Sequence, residues 1–526
     1  MGLRTHLGGV MERFLHRHKD RIAGSISGFD RMRFTGTLRW MAHVEGMGKF
    51  LNSQGVLLKD FGTYVERLSE QIKQHGYGIA EAKGRPVQYV ASSSESKEEI
   101  ALEIAERDGI QQGLICVLSC VEPCQSFGIE KDKTKKQLKL IARWRKCLHL
   151  YFYWLDVEYG LMHLRLQTWA PFTIQVCING REWLARQMDR RGIGYEKHDN
   201  CFTWIQDIPA AQQLFTTLDQ QAWAGWLEKL ACGIHPFLRR KSDLRFKPYY
   251  WSLSQSEYAT DVIFTRSYAL NQIYPALLQY AIHHFHCKDV LRFLGRRITG
   301  RFEGEIRSHT GSRVEGVRIK HWVEENSIKM YDKAGSVLRI ETTINNPRRY
   351  KVRRRVTRHG RKTMTWVRMR KGVVDIRRRV EVCQSANARY LDALAIVGDS
   401  TPSHRVMDPV SQPVITSKRR FRALRPIGPD DSRLFRHVLS GQHLLQGFRN
   451  CDLRQALFPR CMDDPVDRRR ASGRVTRSLQ LLRSHGLIYR VPKTNYYRIN
   501  KKGYAVMTTA LQFRLTDVAL LTKNLC

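Results

Sequence analysis

Acid is what this sequence is short of: 49 Asp and Glu stand against 89 Lys and Arg in 526 residues, a formal net charge of +40. So few negative side chains exclude a surface built for cationic partners and point to polyanions. Phosphate backbones are the commonest of these, because each neutralised phosphate releases counterions. Long apolar runs are missing too. No stretch reaches the roughly 18 residues that cross a bilayer, and the N-terminus lacks the charged-then-apolar layout of an export signal, which predicts a cytoplasmic, nucleoid-associated protein. An acidic membrane surface would require a basic helix with a bulky apolar face or a lipidation site. Neither is present, and His6 stands where an acylation motif needs Ser or Thr, so no membrane partner is expected. Paired C-x-x-C spacing is absent as well. Cys116, Cys120, Cys124, Cys147 and His149 are the one cluster from which a zinc site could be drawn, but the first two lie in an apolar run, and the twelve cysteines read as reduced thiols, mostly in cores. No internal repeat occurs, which excludes a solenoid.

What is present is enough apolar material for sizeable cores, 42% hydrophobic and 10% aromatic. Residues 1–20 fit a short amphipathic helix and Ser25–Thr37 a strand leading to a turn. Val87–Ala91, Ser96–Arg107 and Gly113–Leu118 read as strand, helix and buried strand, a parallel crossover unit. After a basic loop, Lys131–Lys139, the runs Cys147–Leu155 and Leu161–Trp169 flank Asp156–Gly160 as a hairpin, and Glu182–Asp189 continues as a helix that stops at Arg190–Gly192. Ile234–Arg297 is expected to be mainly helical and Arg313–Asn346 to return to strands. The fold class is thus α/β, mixed α+β, and multi-domain: an α/β domain over 1–235, a helical then β-hairpin basic domain over 236–398, a linker over 399–430 marked by five prolines, and a separate domain over 431–526.

Between Arg348 and Arg379 fifteen Lys or Arg face a single acid, Asp375. Such density is expected to stay in solvent, with Thr363–Val380 as a basic hairpin turning at Lys371-Gly372. Arg353, Arg354, Arg355, Arg368 and Arg370 are its candidate phosphate contacts; a self-repelling linker is the alternative.

The C-terminal hundred residues carry the most specific pattern. A short helix spans Asp431–Leu439, and a second, with Asn450 as its cap, runs to Leu457. A third, capped by Ser472, places Val475, Leu479 and Leu482 at i, i+4 and i+7 and stops at Gly486. Arg474, Arg477 and Ser478 occupy its outer face, preceded by Arg468, Arg469 and Arg470. Leu487–Val491 and Tyr496–Ile499 form a two-stranded wing that offers Arg490 and Lys493 to a backbone or minor groove, and a closing helix begins at Lys501. In this element order, and in the run from Val475 to Ile488, residues 431–513 resemble the winged helix-turn-helix domains of the MarR and ArsR type. The chain as a whole resembles large bacterial proteins that end in such a domain. The resemblance implies double-stranded DNA as the partner.

A second pattern concerns chemistry. Ser327–Lys333, a turn at Gly335 and Val337–Thr343 read as a hairpin with Arg339 and Glu341 on one face of its second strand, Tyr331 and Lys333 on one face of its first, and Asp332 on the other. Tyr-Asp-Lys followed by Leu-Arg-Ile-Glu resembles a segment of plasmid and filamentous-phage replication initiators. That resemblance implies Glu341 and Asp332 as ligands of Mg2+ or Mn2+, Lys333 as a phosphate contact and a tyrosine such as Tyr331 as the nucleophile. A cross-strand salt bridge, Lys333 or Arg339 with Glu341, is the plainer alternative. His284-Phe285-His286 has the letters of an initiator metal motif but falls at the end of a helix and is set aside. Asp30, Asp156 and Glu158 form a competing set, of the kind that a ribonuclease-H-like two-metal site draws from separate strands.

Three functions follow as expectations. One is a DNA-binding protein of mobile-element character whose basic body engages or processes nucleic acid as a metal-dependent nuclease, initiator or strand-transfer enzyme. Another is a MarR-like regulator without catalysis, against which stand the roughly 430 residues before the tail and their basic charge. The third is an RNA-binding, single-strand-binding or RNA-guided protein that uses the aromatic and basic interleaving of Trp144–Trp154 and Trp366–Arg379.

Overall fold

The structure, a computed structural model, describes residues 12–516 except 93, 133–136, 239–243, 245, 297–303, 314–315, 359–360, 396, 398–401, 417–418, 441–442, 444–446, 462 and 493. Its architecture is mixed α/β in two discontinuous units. One comprises Ser25–Ile263 and Thr343–Val380, the other Met1–Gly24, Phe264–Thr342 and Glu381–Cys526. The division differs from the four consecutive segments expected, because the chain leaves the first unit after Ile263 and re-enters it at Thr343. No helix among the described residues is long and apolar enough to cross a membrane.

The short helix α1 (Glu12–Arg17) precedes the long strand β1 (Ile22–Thr37). Helices α2 (Val44–Ser53) and α3 (Phe61–Glu81) follow, then β2 (Val87–Tyr89), α4 (Lys97–Arg107) and β3 (Gly113–Asp132). Strands β2 and β3 pair in parallel, as the strand-helix-strand reading requires, and the Ser96 side chain caps α4 by accepting from Glu99 N. The packing of Ala101 and Ile104 against Ile115, Leu118 and Tyr153 fixes this unit. Antiparallel β4 (Gln137–Asp156) pairs with β3 along its whole length, so the expected basic loop is largely strand on either side of 133–136. The hairpin at Asp156–Gly160 joins β4 to β5 (Gly160–Gln167), and β6 (Ile174–Asn179) pairs with both β5 and β1. Asn179 caps α5 (Gly180–Asp189) by accepting from Arg181 N and Glu182 N. A small hairpin, β7 (Tyr195–His198) with β8 (Cys201–Ile205), precedes α6 (Ile208–Leu218) and α7 (Trp223–Ile234).

One correction matters for the site. The stretch read as mainly helical contains β9 (Tyr250–Phe264), ahead of α8 (Ser267–His284) and α9 (Cys287–Phe293). Its sequence alternates Trp251 and Leu253 with Ser252 and Ser254, a period of two that the neighbouring helices obscure. Strands β10 (Ile306–Arg313), β11 (Gly316–Val323), β12 (Asn326–Lys333) and β13 (Val337–Ile344) follow, and the turn between the last two places Ala334 and Gly335 at positive φ. Hydrogen-bonded neighbours run β10-β11-β12-β13-β9-β1-β6-β5-β4-β3-β2.

The basic stretch is also built differently from the expectation. Its hairpin is β14 (Lys351–Arg358) with β15 (Arg361–Arg368), not a turn at Lys371-Gly372, and Ile376–Leu394 is a helix, α10. Buried Ile376, Val380, Cys383, Asn387 and Leu391 recur at helical spacing there. Helix α11 (Ser403–Met407) and the paired dipeptides β16 (Val414–Ile415) and β17 (Arg420–Phe421) occupy the proline-marked stretch, where Met407, Val410 and Leu424 join the C-terminal core.

That core is closed by helices and a short hairpin: α12 (Pro429–Val438), α13 (Asn450–Leu457), α14 (Pro465–Ser484), β18 (Ile488–Arg490), β19 (Tyr497–Ile499) and α15 (Lys501–Leu515). Val475, Leu479 and Leu482 face inward as expected, but α14 starts earlier than Ser472. Asp464 caps it, accepting from Asp467 N, and Ser472 Oγ instead donates to Asn450 Oδ1 at 3.1 Å. Asn450 is likewise the first residue of α13 rather than its cap. Gly503 permits the close approach of α15, since a Cβ there would stand 1.9 Å from Leu487 O.

Candidate functional site

Three carboxylates converge. Asp30 on β1, Glu257 on β9 and Glu341 on β13 each offer one oxygen, and these oxygens lie within 4.8 Å of one another. Donor separations of that size suit a divalent cation bound at about 2.0–2.6 Å, and an all-oxygen set suits a hard ion. The three are an acidic ligand cluster of the composition a metal site requires.

Each acid is held by its own surroundings. Asp30 is buried and accepts from Asn200 Nδ2 through both oxygens, at 3.1 and 2.8 Å. Glu257 is half-buried. Glu341 is fully buried; Tyr331 donates its hydroxyl to Oε2 at 2.8 Å and Lys329 Nζ lies 2.8 Å from Oε1. Burial opposes the charge on Glu341, but Lys329, Arg339 and the hydrogen bonds outweigh it and hold the carboxyl below its ordinary value.

Of the residues singled out in the hairpin, the structure brings Tyr331 onto Glu341 and leaves Asp332 apart. Asp332 does not belong to the acid cluster, because successive strand residues point to opposite faces. Burial raises its pKa, against a hydrogen bond with the Gly335 backbone. Lys333 is buried on the Tyr331 side of β12. Glu341 does form a cross-strand ion pair, with Lys329. In the competing set only Asp30 joins the cluster. Asp156 Oδ1 accepts from Glu158 N and Tyr159 N at 2.8 and 3.0 Å, an ordinary turn role, and Glu158 lies 3.6 Å from Arg190. Glu257 was missed with its strand; the Trp-Ser-Leu-Ser alternation before it is the signal that could have found it.

The cysteine cluster does not bring three ligand atoms into reach of one another. Among the described residues the acids are the one group of three or more metal-ligating side chains in reach of each other. Burial pushes the Cys116 thiol up to about 12, and buried His149, its Nδ1 3.0 Å from Cys147 O, is driven down to about 4 by burial.

The basic candidates divide. On α14, Arg468, Arg469, Arg470, Arg474 and Arg477 are exposed; Ser478 is half-buried and donates to Arg474 O at 3.2 Å. Arg490 is exposed but braces its own turn, donating to Thr494 O and Asn495 Oδ1, both at 2.8 Å. Lys493 lies outside the described residues. Arg355, Arg368 and Arg370 are exposed and Arg353 and Arg354 half-buried, the latter 3.7 Å from Asp375. The expectation that the whole basic run stays in solvent fails at Arg379, which is buried and donates to Leu253 O at 2.8 Å and to Ser256 Oγ at 3.2 Å. Backbone carbonyls and a hydroxyl replace its water.

Compared with models of protein families, with curated proteins and with solved structures, the chain matches none.

Proposed function

We propose that the chain is a DNA-binding protein of mobile-element character, in which the C-terminal helices and hairpin act as a winged-helix reader of a duplex and the α/β body processes the bound strand with a divalent cation. The observation that carries the catalytic half is the convergence of Asp30, Glu257 and Glu341 within 4.8 Å. Bound there, Mg2+ or Mn2+ would polarise a phosphoryl oxygen or activate water. The binding half is supported by the six exposed arginines of α14: Arg468, Arg469, Arg470, Arg474, Arg477 and Arg483.

The test is nicking of supercoiled and single-stranded DNA in Mg2+ or Mn2+, with Mn2+ affinity measured by calorimetry. Glu257→Gln and Asp30→Asn should lose both nicking and the cation, while Asp332→Asn keeps both. Equal behaviour of all four proteins removes the acids from any reaction.

One observation favours a second reading. The Glu341 charge is already met by Lys329 at 2.8 Å and by the Tyr331 hydroxyl, as in a structural ion-pair cluster. On that reading the protein binds DNA without cutting it, as a regulator does, and Mn2+ gives no heat.

A further inference from the structure

The hairpin β14–β15 forms a two-stranded sheet of its own. Between Lys351 and Arg368 it holds eight Lys or Arg and no acid. Its register sets Lys351 opposite Arg368, Arg353 opposite Trp366 and Arg355 opposite Met364. Directly opposed residues share a face, and so do residues two apart. One face therefore gathers Lys351, Arg353, Arg355, Met364, Trp366 and Arg368. The other carries Val352, Val356 and Val367 among three arginines, Arg354, Arg358 and Arg361, with Val352 buried and Arg354 directed to Asp375.

Opposing like charges in this way costs stability. Like charges directly across a ladder repel, and Lys351 faces Arg368. Lys351, Arg355, Arg368 and Met364 are all exposed, so neither burial nor packing offsets that cost. A polyanion would. The shape narrows the class: the major groove of B-form DNA admits a two-stranded ribbon, whereas the deep, narrow major groove of duplex RNA does not. We propose that this face enters the major groove of duplex DNA. Lys351, Arg355 and Arg368 then reach guanine edges and phosphates, and Met364 and Trp366 supply apolar contact to thymine methyls.

This rests on the DNA-binding reading above and adds a second point of contact to the tail. The experiment uses the full chain and its Arg355→Ala/Arg368→Ala and Arg474→Ala/Arg477→Ala variants. Affinity for a labelled mixed-sequence DNA duplex, the matching RNA duplex and a DNA single strand is measured across a salt series. Methyl green, which occupies the major groove, and distamycin, which occupies the minor groove, serve as competitors. Loss of the two ribbon arginines should weaken DNA-duplex binding about tenfold or more and flatten the salt dependence by about one to two counterions. In the tail variant the remaining binding should yield to methyl green and not to distamycin. Because both ribbon arginines are exposed, the melting temperature should hold, which separates lost contact from lost fold. If the wild type binds no duplex, the functional reading falls and this one with it. If it binds and the ribbon variant matches it, or RNA duplex or single strand binds as well as DNA duplex through the ribbon, or distamycin is the effective competitor, the ribbon assignment alone is overturned.

Discussion

Arginine serves two opposite purposes in the two units. In the Ser25–Ile263 unit, Arg181 is wholly buried, 3.1 Å from Asp261, with its guanidinium 5.0 Å from the Phe215 ring. On α14, in the other unit, six arginines stand in solvent, and the ion pair of Arg470 with Asp467 is long, at 3.4 Å. Nε and Nη1 of Arg181 are buried without a hydrogen-bond partner, so the Asp261 charge is what compensates the buried guanidinium, and removing it strands a cation. An exposed one contributes little to folding and is free to meet a ligand. Net charge alone cannot tell these apart, because the buried pair cancels in the surplus of +40 and the exposed arginines do not.

The sharpest way to break the contrast is inside. Asp261→Ala should destabilise the protein by about 3–5 kcal/mol, read by urea unfolding, and the double change Arg181→Met with Asp261→Leu should recover most of that. If the single change costs under about 1 kcal/mol, the buried pair is not structural in this sense. A second large effect is expected from acid. Burial holds His149, His163 and His321 down at about 4 and His235 at about 3, so each is neutral in the fold. Their ordinary value is 6.5, so the unfolded chain takes up protons first. The histidine contribution should be full above pH 6.5 and fall toward pH 4, opposed in part by buried Asp219 and Asp392, whose carboxyls burial raises to about 7 and about 6. His235→Phe, which keeps the ring among Phe172, Phe237, Phe246 and Tyr249, should flatten that fall; an unchanged profile would show that His235 does not contribute. The smallest structural effect is expected on α14. Arg474→Ala/Arg477→Ala should change stability by less than about 0.5 kcal/mol each while weakening binding to a specific duplex more than bulk binding. A melting temperature that drops sharply would place those side chains in the fold and not at a ligand.

The same contrast marks what was legible in the sequence. The C-terminal helices and hairpin could be read because Val475, Leu479 and Leu482 keep a strict helical period and Gly486 ends it, with φ at +68°. The β2-α4-β3 unit and the Asp156–Gly160 hairpin were equally local. The acid cluster was not, since its members sit 227 residues (257 minus 30) and 84 residues (341 minus 257) apart and are joined only by strand order. Periodicity reports which face a residue shares with its near neighbours, never which distant strand lies beside it. Glu341 was found because its own hairpin is local; Glu257 was lost to a helical reading of its surroundings. Arg379 was misread for a related reason: its acceptors, Leu253 and Ser256, lie on β9.

The interrupted course of the chain bears on synthesis. Strand β1 is made early, yet its unit includes β9 and residues up to Val380, with 79 residues (264 to 342) of the other unit intervening. On the ribosome β1 therefore waits for its second neighbour, β9, until about half of the polypeptide has been made, and the unit is complete only after more than two thirds has been translated. Pairings this distant close slowly, and an early strand edge left open for so long is an invitation to aggregate that a nascent-chain chaperone is suited to decline.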